Sequence, residues 1–283
     1  MRTIWRSAGI ACLALVSGTL WAQFAGQNIN MVSGTQWPSG DPFLQRQSEP
    51  SMAVSSRNPE HLLAGANDYR TVDIPNSQSP NETGDAWLGV FTSMDGGETW
   101  KSTLLPGYPQ DTSAIGVASP LHSKYTVATD PTVRAGTHGL FYYSGLVFNR
   151  GTNGASAVFV ATFQDQNNKG NGNGALLTTD NTGTHGNPFQ YVNANLVHTA
   201  NTRQFLDKPW IAVDIPRPGR TATCKINGQT FQSGYVYVFY TVFTNANLPN
   251  QHSSIMEVKS TNCGASSRRS SAGSQPTPRS KRQ

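Results

Sequence analysis

Charged residues stand immediately before three widely separated prolines: Glu49 before Pro50, Asp130 before Pro131, and the pair Asp207 and Lys208 before Pro209. A second polar group, Asp68, Tyr69 and Arg70, closes the apolar run that begins at His61. Carboxyl groups gathered at one place serve general acid and base chemistry, and an arginine grips a carboxylate through paired hydrogen bonds. Glu49, Asp130 and Asp207 are therefore the candidate catalytic groups. Arg70, Tyr69, Asp68 and Lys208 are the candidate substrate-binding groups, with Arg70 the first choice for a substrate carboxylate. The competing reading is structural: an acidic residue beside a proline satisfies nearby turn amides, and a loop arginine is simply solvated.

For these residues to meet, the elements that carry them must converge, and the chain repeats in a way that achieves this. Pro50, Pro131 and Pro209 lie 81 and 78 residues apart, and each opens a short strand-like run: EPSMAVS, DPTVRAG and KPWIAVD. A second run follows each (HLLAGANDY, LFYYSGLVF, YVYVFYTVF), then a third (AWLGVFTS, SAVFVATF, SSIMEVKS), and each third run ends in a turn. A unit of roughly 80 residues with three or four antiparallel strands, repeated, predicts an all-β β-propeller with long loops; a β-sandwich is the alternative. Proline at the start of a strand removes no ladder bond. If every innermost strand begins on the functional face, that face collects the residues before the prolines and those after each second strand.

Composition agrees with strands. Among 283 residues there are 27 glycines and 17 prolines, and only 13% are charged. Strong helix formers are scarce and breakers are frequent. Residues 1–22 read as a signal peptide: a basic start, an apolar run from Ala8 to Leu20, and a cleavage point after Ala22. That run is too short to span a bilayer, so export to a secreted or periplasmic location is expected. Residues 23–47 form an N-terminal extension. The net charge of +5 comes from the two ends, because removing their seven basic residues leaves 14 basic against 16 acidic. No basic stripe invites nucleic acid.

The stretch TSMDGGETWKS, from Thr92 to Ser102, carries Ser93, Asp95, Gly97, Thr99 and Trp100 at the spacing of the Asp-box, a hairpin signature of BNR repeats. Its local physics is that of a folding device: Asp95 accepts from turn amides, the glycines permit positive φ, and Trp100 packs into the sheet. STNCGAS occupies the same register in the third unit. With this box and the phrases EPSMAVSSRNPEHLLAGANDYR and FLDKPWIAVD, residues 48–266 resemble secreted BNR-repeat proteins of the sialidase superfamily. That resemblance implies a six-bladed propeller and glycan chemistry using an arginine triad, a Tyr/Glu nucleophile pair and an Asp acid/base. It also places the box away from the active face, which removes Asp95 from catalysis.

The family's leading arginine, two residues before the proline, has no counterpart here; Arg46 stands four before Pro50. About three blades of the six are present. Residues 267–283 are Ser/Arg/Pro-rich with nothing apolar beyond Ala and Pro, and a disordered tail, truncated or frame-shifted from a longer gene, is expected. A genuine half-propeller that dimerises into six blades is the alternative.

Cys224 and Cys263 fall in loops on one face of the third unit; a disulfide and two free thiols are both open. GNGNG from Gly170 lacks a following helix pattern, and TTDNTGT from Thr178 reads as an Asx turn as readily as a calcium loop. The six histidines lack metal-ligand spacing, so no metal or cofactor is expected. The expected partner is a glycan or cell-surface polysaccharide. The function that follows is a secreted exo-glycosidase of sialidase type, with a non-catalytic sugar- or protein-binding propeller as the alternative.

Overall fold

The computed structural model describes residues 29–32, 47–70, 85–151, 154–166, 188–216, 219, 223–226, 228–232, 234–245, 248–265 and 268–269. The expected signal peptide, Arg46, GNGNG, TTDNTGT and most of the tail lie outside the described residues.

The described chain is almost entirely β. Three four-stranded antiparallel sheets follow one another. The first is β1 (Gln47–Val54), β2 (Leu62–Asp68), β3 (Trp87–Ser93) and β4 (Lys101–Leu104). A short helix α1 (Ala114–Val117) leads to the second: β5 (Val127–Ala135), β6 (Leu140–Phe148), β7 (Ser156–Asp165) and β8 (Phe189–Thr199). The third begins with β9 (Gln204–Val213), departs into a two-stranded hairpin of β10 (Thr223–Ile226) and β11 (Gln229–Gln232), and resumes with β12 (Val236–Thr244), β13 (His252–Ser260) and β14 (Arg268–Arg269). Each sheet is therefore an up-and-down meander, the blade of a propeller. The three strand runs expected in each unit are the first three strands of each sheet. β14 was not expected: Arg268 and Arg269 pair with Lys259 and Val258 at the start of the segment predicted to be disordered.

The leading strands β1, β5 and β9 touch one another across the sheets. Val133 N–H donates to Ser51 Oγ at 2.9 Å and Thr132 Oγ1 donates to the Pro209 carbonyl at 3.1 Å. Packing between blades makes the core. Leu63, Val90, Phe141, Tyr143 and Phe159 fill the space between the first two sheets, and Leu140, Tyr142, Val238, Tyr240 and Val258 the space between the second and third. Gly65 is required there, because a Cβ would fall 2.4 Å from the Tyr143 hydroxyl. A polar rivet joins the first two blades: Ser55 Oγ donates to Asp165 Oδ2 at 2.6 Å, and His61 Nδ1 lies 3.0 Å from the same oxygen, all three buried. Serine and histidine both engage the carboxylate through their side chains, and the Ser55 backbone N–H donates to the His61 carbonyl at 2.8 Å, which makes this a tie between blades.

Candidate functional site

All three leading strands carry the same irregularity at the same place. The ladder slips between Ser48 and Ser51 in β1, between Thr129 and Thr132 in β5, and opposite Phe239 and Thr241 in β9. At each slip, the residue before the proline has positive φ: 54° for Glu49, 60° for Asp130 and 46° for Lys208. Proline supplies no ladder donor, so a bulge is where it fits. A non-glycine residue in the left-handed region costs about 1–3 kcal/mol, and such strain gathers at functional positions.

The three bulges present their side chains to one another. Lys208 Nζ lies 2.8 Å from Glu49 Oε1 and 3.0 Å from Asp130 Oδ1. Asn67, near the end of β2, donates through Nδ2 to Glu49 Oε2 at 3.3 Å and accepts the Asp130 backbone N–H at 2.8 Å. The Asp130 side chain is only 12% exposed, whereas Glu49 is 48% and Lys208 61%. Burial, with the neighbouring Glu49 carboxylate, lifts the Asp130 pKa to about 6. The hydrogen bond from Asp130, reinforced by the Lys208 ammonium, holds Glu49 below its ordinary value. Both carboxylates push Lys208 upward, so it stays cationic. At mildly acidic pH the cluster holds one neutral carboxyl, one carboxylate and one ammonium, and the acid pair titrates jointly.

Other nominated residues do not join it. The carboxylate of Asp207 accepts the backbone N–H of Lys208 at 2.9 Å, the turn-amide role that competes with catalysis. Arg70 requires a correction. It is 1% exposed, its Nε donates to both Asp68 oxygens at 2.9 and 2.8 Å, and its terminal nitrogens bind Ser102 Oγ and the Thr103 carbonyl, each at 3.0 Å. Strand alternation is the cause: Asn67 points toward the second blade and the center, so Asp68 points to the opposite face of the first sheet and takes Arg70 with it. The same alternation was the available signal for Asn67, which the sequence reading passed over. Tyr69 is half-buried between them. Beyond the bulges, Arg134 of β5 lays its guanidinium 4.9 Å over the ring of Trp210 of β9, which is 59% exposed.

The box closes on itself at the other end of the blade. Ser93 Oγ donates to Asp95 Oδ1 at 2.8 Å and accepts Gly97 N–H at 2.8 Å, while Asp95 also accepts Thr99 N–H at 2.9 Å. In the third blade, Ser260 Oγ donates to Asn262 at 2.9 Å and accepts Gly264 N–H at 3.0 Å, the same hydrogen-bond skeleton with Asn in place of Asp. Cys263 takes the position of Gly96, with φ 56° against 72°, and forms a disulfide with Cys224 of β10 across a Cα separation of 5.9 Å. Among the described residues no group of His, Cys, Asp and Glu is arranged to hold a metal, and no helix is long and apolar enough to cross a membrane.

No family model matches the chain, and none of the curated proteins does. Solved structures show distant similarity. A Dyadobacter fermentans protein of unknown function is 11% identical with a TM-score of 0.40, over 78% of this chain and 49% of that one. Trypanosoma rangeli sialidase in complex with the inhibitor DANA is 10% identical with a TM-score of 0.34, over 79% and 37%. The GH43 endo-arabinanase from Bacillus licheniformis is 14% identical with a TM-score of 0.28, over 76% and 72%. The chain spans about half the length of the first of these and just over a third of the second.

Proposed function

We propose that the protein is a secreted, sialidase-like propeller glycoside hydrolase, acting on glycans as an exo-glycosidase at the three bulges. One observation carries this reading: a half-buried carboxyl, Asp130, with its pKa raised to about 6, sits beside an ionised carboxylate, Glu49, where three inner strands converge. Paired carboxyls pushed apart in pKa are the working parts of glycosidic bond hydrolysis. Substrate entering between the two carboxyls parts the Asp130–Glu49 hydrogen bond, and neutral Asp130 then donates its proton to the departing glycosidic oxygen. Glu49 acts on the anomeric side, either attacking the carbon or taking a proton from water. Lys208 and Asn67 orient the pair. The Cys224–Cys263 disulfide supports export to an oxidising compartment. Arg70 is spent on Asp68, so the reading retains the acid pair and not an arginine triad built on Arg70.

Lys208 favours a second reading. Its ammonium bridges both carboxylates, a closed ion network that suits a non-catalytic propeller binding sugars or partner proteins.

The test is hydrolysis of a panel of fluorogenic sialosides and neutral aryl glycosides across pH. The hydrolase reading expects kcat/KM to fall as pH rises through about 6, the value at which Asp130 loses its proton, with Asp130→Asn and Glu49→Gln each losing at least about a hundredfold. Glycan binding without turnover, abolished by the same variants, selects the binding module.

A further inference from the structure

We infer that Trp210 is a sugar-stacking platform of the bulge site, clamped by Arg134, and that it takes a pyranose ring through the ring's C–H face. This deepens the hydrolase reading and rests on it. In each leading strand the ladder resumes at the residue after the proline: Ser51, Thr132 and Trp210. The first two spend small hydroxyls on the next blade, Ser51 accepting the Val133 N–H and Thr132 donating to the Pro209 carbonyl. The third blade places an indole at this position, 59% exposed, whereas Trp87 is fully buried and Trp100 half-buried. An exposed aromatic beside a few placed polar groups is the ordinary composition of a ligand site.

Two features tie that ring to the acid pair. Trp210 follows Lys208 by two residues, so their Cα atoms are at most about 7 Å apart. Both side chains also meet β5: the Lys208 ammonium lies 3.0 Å from Asp130 Oδ1, and the Arg134 guanidinium sits 4.9 Å over the indole. One seam between β5 and β9 therefore carries the acid at one end and the aromatic at the other. Arg134 is itself fixed, since its Nη1 donates to the Val133 carbonyl at 2.8 Å. It holds one face of the indole, and its other N–H groups can donate to ring hydroxyls. The face of an aromatic ring is electron-rich, so it attracts hydrogens that carry partial positive charge. The C–H groups of a pyranose, each beside an electronegative oxygen, gather such hydrogens on one side of the ring. A ring stacked there lies next to Asp130 and Glu49, which leaves both carboxyls to act on the glycosidic bond.

Saturation-transfer NMR on the full chain tests this, with lactose, sialyllactose, cellotetraose and arabinotriose as probes. Binding of at least one of the three pyranosides is expected, with saturation strongest on the C–H protons of one ring face. Trp210→Ala and Trp210→Leu should each weaken that binding at least about tenfold, the second because it keeps an apolar side chain without an aromatic face. Trp210→Phe, which restores such a face, should stay within about threefold of wild type. Thermal unfolding checks that each variant folds. Turnover of glycosides together with affinity indifferent to Trp210→Ala and Trp210→Leu overturns the platform and leaves the hydrolase standing. Binding that depends on Trp210 without any turnover supports the platform and removes the hydrolase in favour of the binding module. No saturation transfer to any probe at roughly 5 mM overturns the platform; so does binding of arabinotriose, a furanoside, in preference to all three pyranosides.

Discussion

The first and third sheets share strand order and a bulged leading strand, yet they finish differently. On the first, Arg70 pairs with Asp68 at the end of β2 and lays its guanidinium over Phe91, Val32 packs beside that ring, and Met52 and Val54 of β1 stay exposed on the same face. On the third, Tyr237, Phe239 and Phe243 are half-buried, and the blade carries a covalent tie from its box turn to the β10–β11 hairpin. Repeated sheets need capping at their ends, since each inner repeat buries both faces against neighbours. Among the described residues, the first sheet carries an ion pair and a short chain segment on its outer side, and the third carries an internal covalent brace.

The sharpest way to break this contrast is to remove the cap. Arg70→Ala leaves the fully buried Asp68 carboxylate without its cation, and a loss of about 3–5 kcal/mol is expected in denaturant unfolding. Replacing Arg70 and Asp68 together with apolar residues of similar volume should recover most of that loss; a double variant as unstable as the single would show that the unpaired buried charge is not what causes it. Next comes the brace: Cys224→Ser with Cys263→Ser opens a tie spanning 39 residues and should cost about 2–4 kcal/mol, with hydrogen exchange rising in the third sheet and not in the first. An even rise over all three sheets would refute local bracing. The two boxes should then differ modestly. Asp95→Ala removes acceptors for Ser93 and Thr99 and should cost about 1 kcal/mol, and Asn262→Ala, which removes a neutral amide in place of a carboxylate, about half as much. Smallest of all, Ile255→Glu should change stability by no more than about 0.5 kcal/mol, because its side chain is already exposed.

Much of the fold was legible because a strand repeat carries its own register. Prolines at matching offsets, apolar runs in a fixed order and the box turn all specify local structure, and local structure is what neighbouring residues encode. The convergence of Glu49, Asp130 and Lys208 followed from that order alone. What escaped depended on contacts distant in sequence. Arg70 reads as a surface loop residue until the parity of β2 is fixed by its pairing with β1 and β3. The run at β12 is strongly apolar, and its alternating burial is set by what packs on each side of its sheet, which no strand announces about itself. The β10–β11 hairpin is short and polar, and its cysteine is its one marker.

The recurrence of one backbone distortion before each leading proline means that the polypeptide offers interchangeable sockets. Each socket fixes its occupant by main-chain geometry, whether the side chain is acidic or basic. Duplication of an ancestral blade would copy the socket with it, and a single codon change would then rewrite the charge at the axis without rebuilding a strand. A lysine facing two acids is one setting of such a lock. Exchanging Glu49, Asp130 and Lys208 among themselves, or for other residues, explores a family of recognition chemistries on a frame that has already absorbed the strain of displaying them.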